Sequence, residues 1–304
     1  MLYRTQKLYK EIKNEDFPIY PICIPTYNRP DARILTALDT YPELPFILFI
    51  RNTKDQKALY KKWKSRCKIV LLDDVDNIGA TRAAIINWCI ENKVSRIFML
   101  DDDVDELDFL YPHETRNGTL CMRAARQNMG RAYKGVNPFT LRMWMKVIES
   151  SRKDLTLATP AYRPDSWHMK NKDADLKYND GACIQCVYIN VKNLYRAKIN
   201  YRDTEDCGNE DYALQFDIMS KGLTTCVFHD FMYGCPAVGS IEGGNEDACK
   251  IKDIKERYEH FIELFVKNVS KGEHEGIRIA RSKSNIPSIK FNWKYWKTKI
   301  QEEQ

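Results

Sequence analysis

Apolar runs long enough to cross a membrane are missing from this sequence. A spanning helix needs about 18 or more consecutive apolar residues. The longest strongly apolar runs here, such as Phe46 to Ile50, have only the length of a strand. The first residues, Met1 to Lys7, contain no apolar core of the kind a secretory signal carries. The expectation is a cytoplasmic protein with no membrane partner. Glycine and proline are scarce, 13 and 12 among 304 residues, which excludes collagen-like and low-complexity chains. Histidine is scarcer still, at 5. The ten cysteines are scattered, and only Cys183 and Cys186 have a metal-like spacing with no second pair to match it. A zinc site is therefore disfavoured, and reduced, mostly buried thiols are expected. What remains is ample for a core: 43% apolar and 12% aromatic residues. The length suits one large domain or one domain with an appendage.

Charge is placed unevenly. The formal net charge is +6, but residues 277–304 hold seven basic and two acidic residues, a local net of +5. Between Thr115 and Ile148 lie seven basic residues and no acid: Arg116, Arg123, Arg126, Arg131, Lys134, Arg142 and Lys146. Just before that stretch, Asp101 to Asp108 carries six acids in eight residues. A nearly neutral body thus holds an acidic cluster beside a basic stretch, and a basic tail follows it.

The first hundred residues alternate strand and helix patterns. Strands are expected at 19–24, 46–50, 68–72 and 95–100, with helices from 31, 55 and 77 between them. That alternation implies a doubly wound, mostly parallel α/β sheet, whose ligands sit at the carboxyl ends of the strands. Lys57, Lys61, Lys64 and Lys68 read as a solvated helix face. Further on, helices are expected at 138–150, 210–219 and 251–269, and strands at 181–189 and 223–228. The first 276 residues then form one unit, with halves 1–110 and 111–276, and 277–304 is a tail.

Asp101, Asp102 and Asp103 directly follow an apolar strand. Three adjacent carboxylates repel one another unless a cation sits among them, and strand-end carboxylates suit Mg2+ or Mn2+. The bland alternative is an acidic loop or a helix cap. His229, expected at the end of a later strand, is a further candidate ligand.

In order, these segments resemble a known family. Pro25-Thr-Tyr-Asn-Arg29 after the first strand, Asn77-Ile-Gly-Ala-Thr-Arg82 at a helix entry, Asp101-x-Asp103, Gly208-Asn-Glu-Asp211 and His229 are similar to the motifs of family-two-like, GT-A fold glycosyltransferases. Ile289-Lys-Phe-Asn-Trp-Lys-Tyr-Trp296, after Gly243-Gly-Asn-Glu-Asp247, narrows the resemblance to phage TET-associated glycosyltransferases, thought to decorate hydroxymethylated pyrimidines in DNA.

The resemblance implies roles. The donor is a nucleotide sugar, a UDP-sugar by preference. Asp103 and His229 hold a Mn2+ or Mg2+ ion on its pyrophosphate, with Asp101 reaching the ion or the ribose. Arg82 adds positive charge beside the diphosphate; alternatively it forms a surface ion pair. Pro25, Thr26, Tyr27, Arg29, Asn52, Asp76 and Asp102 surround the nucleoside. Asp211 or Glu210, with Asp211 preferred, takes the proton of an acceptor hydroxyl in a displacement with inversion. The alternative is that both acids only favour the start of their helix. Arg116, Arg123, Arg126, Arg131, Lys134, Lys294 and Trp296 are the expected DNA contacts, although an aromatic tail also packs on its own domain. A glycan, lipid or protein acceptor is the first rival. A nucleotidyltransferase is the second, and it is disfavoured by the missing glycine-rich first loop.

Overall fold

The computed structural model describes residues 19–114, 120–124, 135–151, 153–162, 182–202, 209–236, 276–281, 287–292 and the single positions 256, 259, 295, 298 and 302. In chain order the elements are β1 (Ile22–Pro25), α1 (Arg33–Asp39), β2 (Phe46–Arg51), α2 (Lys54–Leu59), a 3-10 turn (Lys61–Trp63), β3 (Lys68–Leu72), α3 (Ile78–Glu91), β4 (Ile97–Leu100), β5 (Glu106–Glu114) and β6 (Leu120–Ala124). There follow α4 (Phe139–Ser151), β7 (Leu157–Tyr162), β8 (Cys186–Ile189), α5 (Val191–Ala197), α6 (Glu210–Ser220), β9 (Thr225–Gly234), β10 (Ile277–Arg281) and β11 (Pro287–Phe291).

Among the described residues, nine strands form one mixed sheet in the order β3-β2-β1-β4-β8-β7-β9-β5-β6. β1 to β4 are mutually parallel, as their strand-helix alternation requires. β8 runs antiparallel to β4 and β7, and β9 lies parallel to β7. The carboxyl ends of β1, β2, β3, β4, β7 and β9 therefore share one edge. Side chains alternate across the sheet, so each strand feeds two cores. Ile22, Ile24, Leu48, Phe98 and Leu100 pack on α1 and α4. Cys23, Ile47, Phe49, Ile97 and Met99 pack on α3, α5 and α6 on the other face. Coverage of both faces is the doubly wound arrangement expected. The seven cysteines whose side chains are described are all free, and all but Cys67 are buried.

The second half departs from the sequence reading. The strand expected at 181–189 starts only at Cys186, because Gln185 takes a left-handed φ of 60°. The strand expected to stop at Phe228 runs on to Gly234, because Phe231 to Gly234 pair with β5. His229 thus lies inside β9, not at its end. The β7–β9 register slips there: Phe228 faces Pro160, and Met232 faces the next residue, Ala161. The helix expected from 55 ends already at Leu59, where Tyr60 leaves the helical path and is fully buried. The helix expected at 251–269 lies outside the described residues, apart from positions 256 and 259. In the tail, β10 and β11 pair as an antiparallel hairpin. Its end docks on α6, where the Phe291 ring lies 4.3 Å from Tyr212 and 5.5 Å from Phe216.

Candidate active site

The loop after β1 is built as a fixed platform. Thr26 Oγ1 donates to Asp102 Oδ2 at 2.7 Å and meets the Tyr60 hydroxyl at 2.6 Å. Arg29 Nη1 donates to Asp102 Oδ1 at 2.7 Å, and Arg29 N donates to the Tyr60 hydroxyl at 2.9 Å. Asn28 has a left-handed φ of 59°, which asparagine tolerates. Its side-chain carbonyl accepts from Gln56 Nε2 at 2.5 Å. Burial pushes Tyr60 up to about 12, so its hydroxyl stays protonated and bonds both neighbours. Asp102, 8% exposed, has both oxygens turned onto this loop. Its place is beneath the rim, where it ties the end of β4 to the loop after β1.

Arg51 links Tyr27 to Asp76, while its neighbour Asn52 pairs with Asp73. The Arg51 guanidinium lies 4.5 Å from the Tyr27 ring centre, and its Nη2 donates to the Asp76 carbonyl at 2.7 Å. Asn52 Nδ2 donates to Asp73 Oδ1 at 2.5 Å. Pro25 closes β1 and is buried.

Arg82 is buried rather than surface-paired, at 5% exposed. Its Nη2 donates to both oxygens of Asp101, at 2.7 and 2.8 Å, and its Nη1 donates to Glu210 Oε1 at 2.5 Å. One guanidinium thus joins the end of β4 to the start of α6. The Asn-x-Gly pattern upstream has a physical reason. Asn77 Oδ1 caps α3 by accepting from Ala80 N at 2.9 Å. A Cβ on Gly79 would lie 2.5 Å from the Arg202 carbonyl and 3.3 Å from the Glu210 Cβ. Only glycine lets the two helix entries approach closely enough for Arg82 to span them.

The acids of the 101–108 cluster therefore do not depend on a metal to offset their repulsion. Asp101 has Arg82, Asp102 has Arg29, and Asp105 has Arg33 at 3.9 Å. Asp103 differs. Arg29 stays 3.9 Å from its Oδ2, and its buried Oδ1 has no hydrogen-bond partner among the described residues. Burial, then Asp101 and Asp102, push its carboxyl up to about 7. A buried acceptor with no donor fits a cation bound at this position. Among the described residues, no three His, Cys, Asp or Glu side chains already form a metal-ligating group. The backbone of His229 is placed in β9, and its side chain lies outside the described residues.

Asp211 opens α6 beside Glu210. Its Oδ1 accepts from Tyr212 N at 2.8 Å. Burial, then the Glu210 charge, raise it to about 7, against the opposing pull of Arg82. Glu210 is 5% exposed and engaged by Arg82, whereas Asp211 is only half-buried. Of the expected DNA contacts, Arg116, Arg126, Arg131, Lys134, Lys294 and Trp296 lie outside the described residues, and Arg123 is placed only by its backbone in β6.

Several site residues escaped the sequence reading. Arg51, Gln56 and Tyr60 belong to no motif. Only the position of Arg51 at the end of an apolar strand could have signalled one of them.

A protein-family model described as TET-Associated Glycosyltransferase matches residues 20–244. No curated protein matches the chain. Two solved structures are similar. One is described as GalNAc-T7 with UDP, GalNAc and Mn2+, at 9% identity and TM-score 0.48, covering 84% of this chain and 49% of that one. The other is 4-diphosphocytidyl-2C-methyl-D-erythritol synthase from Anaerococcus prevotii DSM 20548, at 11% identity and TM-score 0.38, covering 76% of this chain and 92% of that one. The chain spans about half the length of the first. Neither likeness bears on the chemistry of the site.

Proposed function

The chain belongs to the TET-associated glycosyltransferase family, and from that premise we propose that it is a GT-A type enzyme moving a sugar from a nucleotide-sugar donor to a hydroxymethylpyrimidine in DNA. The observation that carries this reading is the chain of charged groups Asp101–Arg82–Glu210 with Asp211 at its end. It places a carboxylate of raised pKa next to the strand-end acids, where donor and acceptor would meet.

Each residue has a definite task. Asp211 takes the acceptor hydroxyl proton. A carboxylate that titrates near 7 is a better base than an ordinary one and is about half ionised at neutral pH. Glu210 is committed to Arg82 and holds the start of α6 in place. Tyr27, Asn52 and Asp76 on the rim receive the nucleoside, and Thr26, Arg29 and Asp102 brace that rim from below. A divalent ion would be held by Asp103, with Asp101 and His229 as further ligands. When bound, it would neutralise charge on the departing diphosphate. Inversion at the sugar follows if Asp211 deprotonates the attacking hydroxyl directly.

The test is incubation with a panel of nucleotide sugars, Mn2+ and DNA containing hydroxymethylcytosine or hydroxymethyluracil, read by nucleoside mass spectrometry. A hexose, pentose or N-acetylhexosamine mass shift is expected. Transfer to a glycan, lipid or protein but never to DNA would overturn the acceptor. Asp211→Asn should lower kcat by about 10²–10⁴-fold, the usual worth of a general base, with donor binding retained. Turnover at the wild-type rate would remove Asp211 from the mechanism.

A further inference from the structure

We propose that the lysine-rich segment 54–64 is a phosphate-contacting surface on which duplex DNA lies as it reaches the candidate site. Such a role rests on the DNA acceptor proposed above and gives it a place of contact within the described residues.

Residues 54–68 hold seven basic residues and one acid, Asp55, a local net of +6 that equals the net charge of the whole chain. By sequence their spacing reads as one solvated helix face. The structure breaks that face. α2 ends at Leu59, Lys61 lies in the 3-10 turn, and Lys68 opens β3 with its Nζ 4.5 Å from the Trp88 ring centre. Gln56, Tyr60 and Trp63 turn inward and are buried, while Lys54, Lys57, Lys61 and Lys64 are exposed. Lys62 pairs with Asp31, and Arg66 pairs with Asp39. Lys54, Lys57, Lys61 and Lys64 have no ion pair among the described residues.

The buried residues of the segment fix where this charge sits. Gln56 Nε2 donates to the Asn28 side chain at 2.5 Å, Arg29 N donates to the Tyr60 hydroxyl at 2.9 Å, and Trp63 Nε1 donates to the Pro30 carbonyl at 2.8 Å. Three successive residues of the loop after β1 are each tied to the segment. That loop stands at the carboxyl edge of the sheet, where Arg29 holds Asp102. The lysines therefore flank the candidate site and not the far edge.

Like charges gathered on one short segment repel, and a polyanion relieves that repulsion. Lysines meet backbone phosphates without reading sequence, which positions a duplex. A membrane surface is the other anionic partner of such a patch, but membrane-binding faces combine their lysines with large apolar residues. Here Tyr60 and Trp63 are buried, and Leu59, at 39% exposure, is the one large apolar side chain the segment presents.

The experiment compares the full-length wild type with a variant carrying Lys54→Gln, Lys57→Gln, Lys61→Gln and Lys64→Gln. A control carries the same change at Lys93, Lys153, Lys192 and Lys221, exposed lysines at the opposite edge of the sheet, before β4 and β7, after β8 and before β9. Thermal unfolding confirms that each is folded. Affinity for a short fluorescent duplex containing hydroxymethylcytosine is read by anisotropy over a sodium chloride series. The segment variant should flatten the log–log slope by about 3–4, at about 0.9 for each phosphate no longer met. The control should stay close to the wild-type slope. Flattening no greater than the control's, beside salt-sensitive binding by the wild type, overturns this surface and leaves the DNA acceptor standing. Wild-type binding that is absent or indifferent to salt overturns the DNA acceptor, and this surface with it. Phosphatidylserine vesicles are the second probe: binding to them that is lost in the segment variant, with the DNA slope unchanged, assigns the face to lipid and overturns the inference.

Discussion

Arg82 shows how much one buried side chain decides in this site. It neutralises Asp101 and Glu210 together, at 5% exposure. Removing one partner of such a buried cluster leaves unpaired charge, so Arg82→Met should cost about 3–5 kcal/mol in urea unfolding. Arg82→Lys should recover only part of this, because an ammonium lacks the planar fork that spans two carboxylates. Full stability in the methionine variant would show that the cluster contributes nothing. Asp211 supplies the pH dependence. Its folded value of about 7 lies above the ordinary 3.8, so the folded state holds this proton more tightly than the unfolded chain does. The stabilising effect is complete below about pH 4 and is lost as pH rises through about 7. With Asp211 as the proposed base the activity has the opposite sign, since a base must be ionised to take a proton: kcat/KM should climb through about pH 7. Asp211→Asn should melt higher than wild type at pH 8 and lose the acid limb. A variant that melts lower there would contradict the assigned environment.

At the scale of elements, the two helix entries are the sensitive parts. An exposed mid-helix Gly→Ala change ordinarily stabilises by about 1 kcal/mol. Gly79→Ala should do the reverse, because the new Cβ would meet the Arg202 carbonyl at 2.5 Å and neither backbone can yield freely. A net loss of roughly 1–3 kcal/mol is expected, as for other overpacked sites. Transfer activity should also fall as Glu210 is displaced. Chemical denaturation gives the sign directly. The hairpin of β10 and β11 presses Phe291 onto Tyr212 and Phe216 of α6. Phe291→Ala should therefore loosen the helix that carries Asp211. Hydrogen exchange should quicken at α6 amides and stay unchanged in β1 to β4. Uniform exchange in both regions would show that the tail does not brace α6.

For the molecule as a whole, the open matter is the partner that the charge distribution serves. The proposal of a DNA acceptor predicts binding that weakens steeply with salt, with a slope of about −0.9 per phosphate contact in log–log form. Neutralising Arg116, Arg126 and Arg131 together should flatten that slope by about 3 if each meets one phosphate. Charge-neutral variants of Lys294, Lys297 and Lys299 provide the parallel test for the tail. DNA binding indifferent to salt would move the acceptor to another class.

The sequence by itself determined the parallel half of the sheet, because local alternation of strand and helix patterns has few solutions once both faces must be covered. It also marked the strand-end acids, Arg82, and the pair Glu210 and Asp211, since these sit in short segments of fixed spacing. The tertiary structure alone decided which of those acids is engaged. Asp101 and Asp102 are neighbours in the chain, yet they face Arg82 and Arg29, which come from two distant segments. No local pattern encodes such pairings, because they depend on which strand ends the mixed sheet brings side by side. The continuation of β9 past His229, the Gly79 contact and the docking of the tail on α6 share that origin. Each depends on a surface that exists only after β5, α6 and the hairpin have packed.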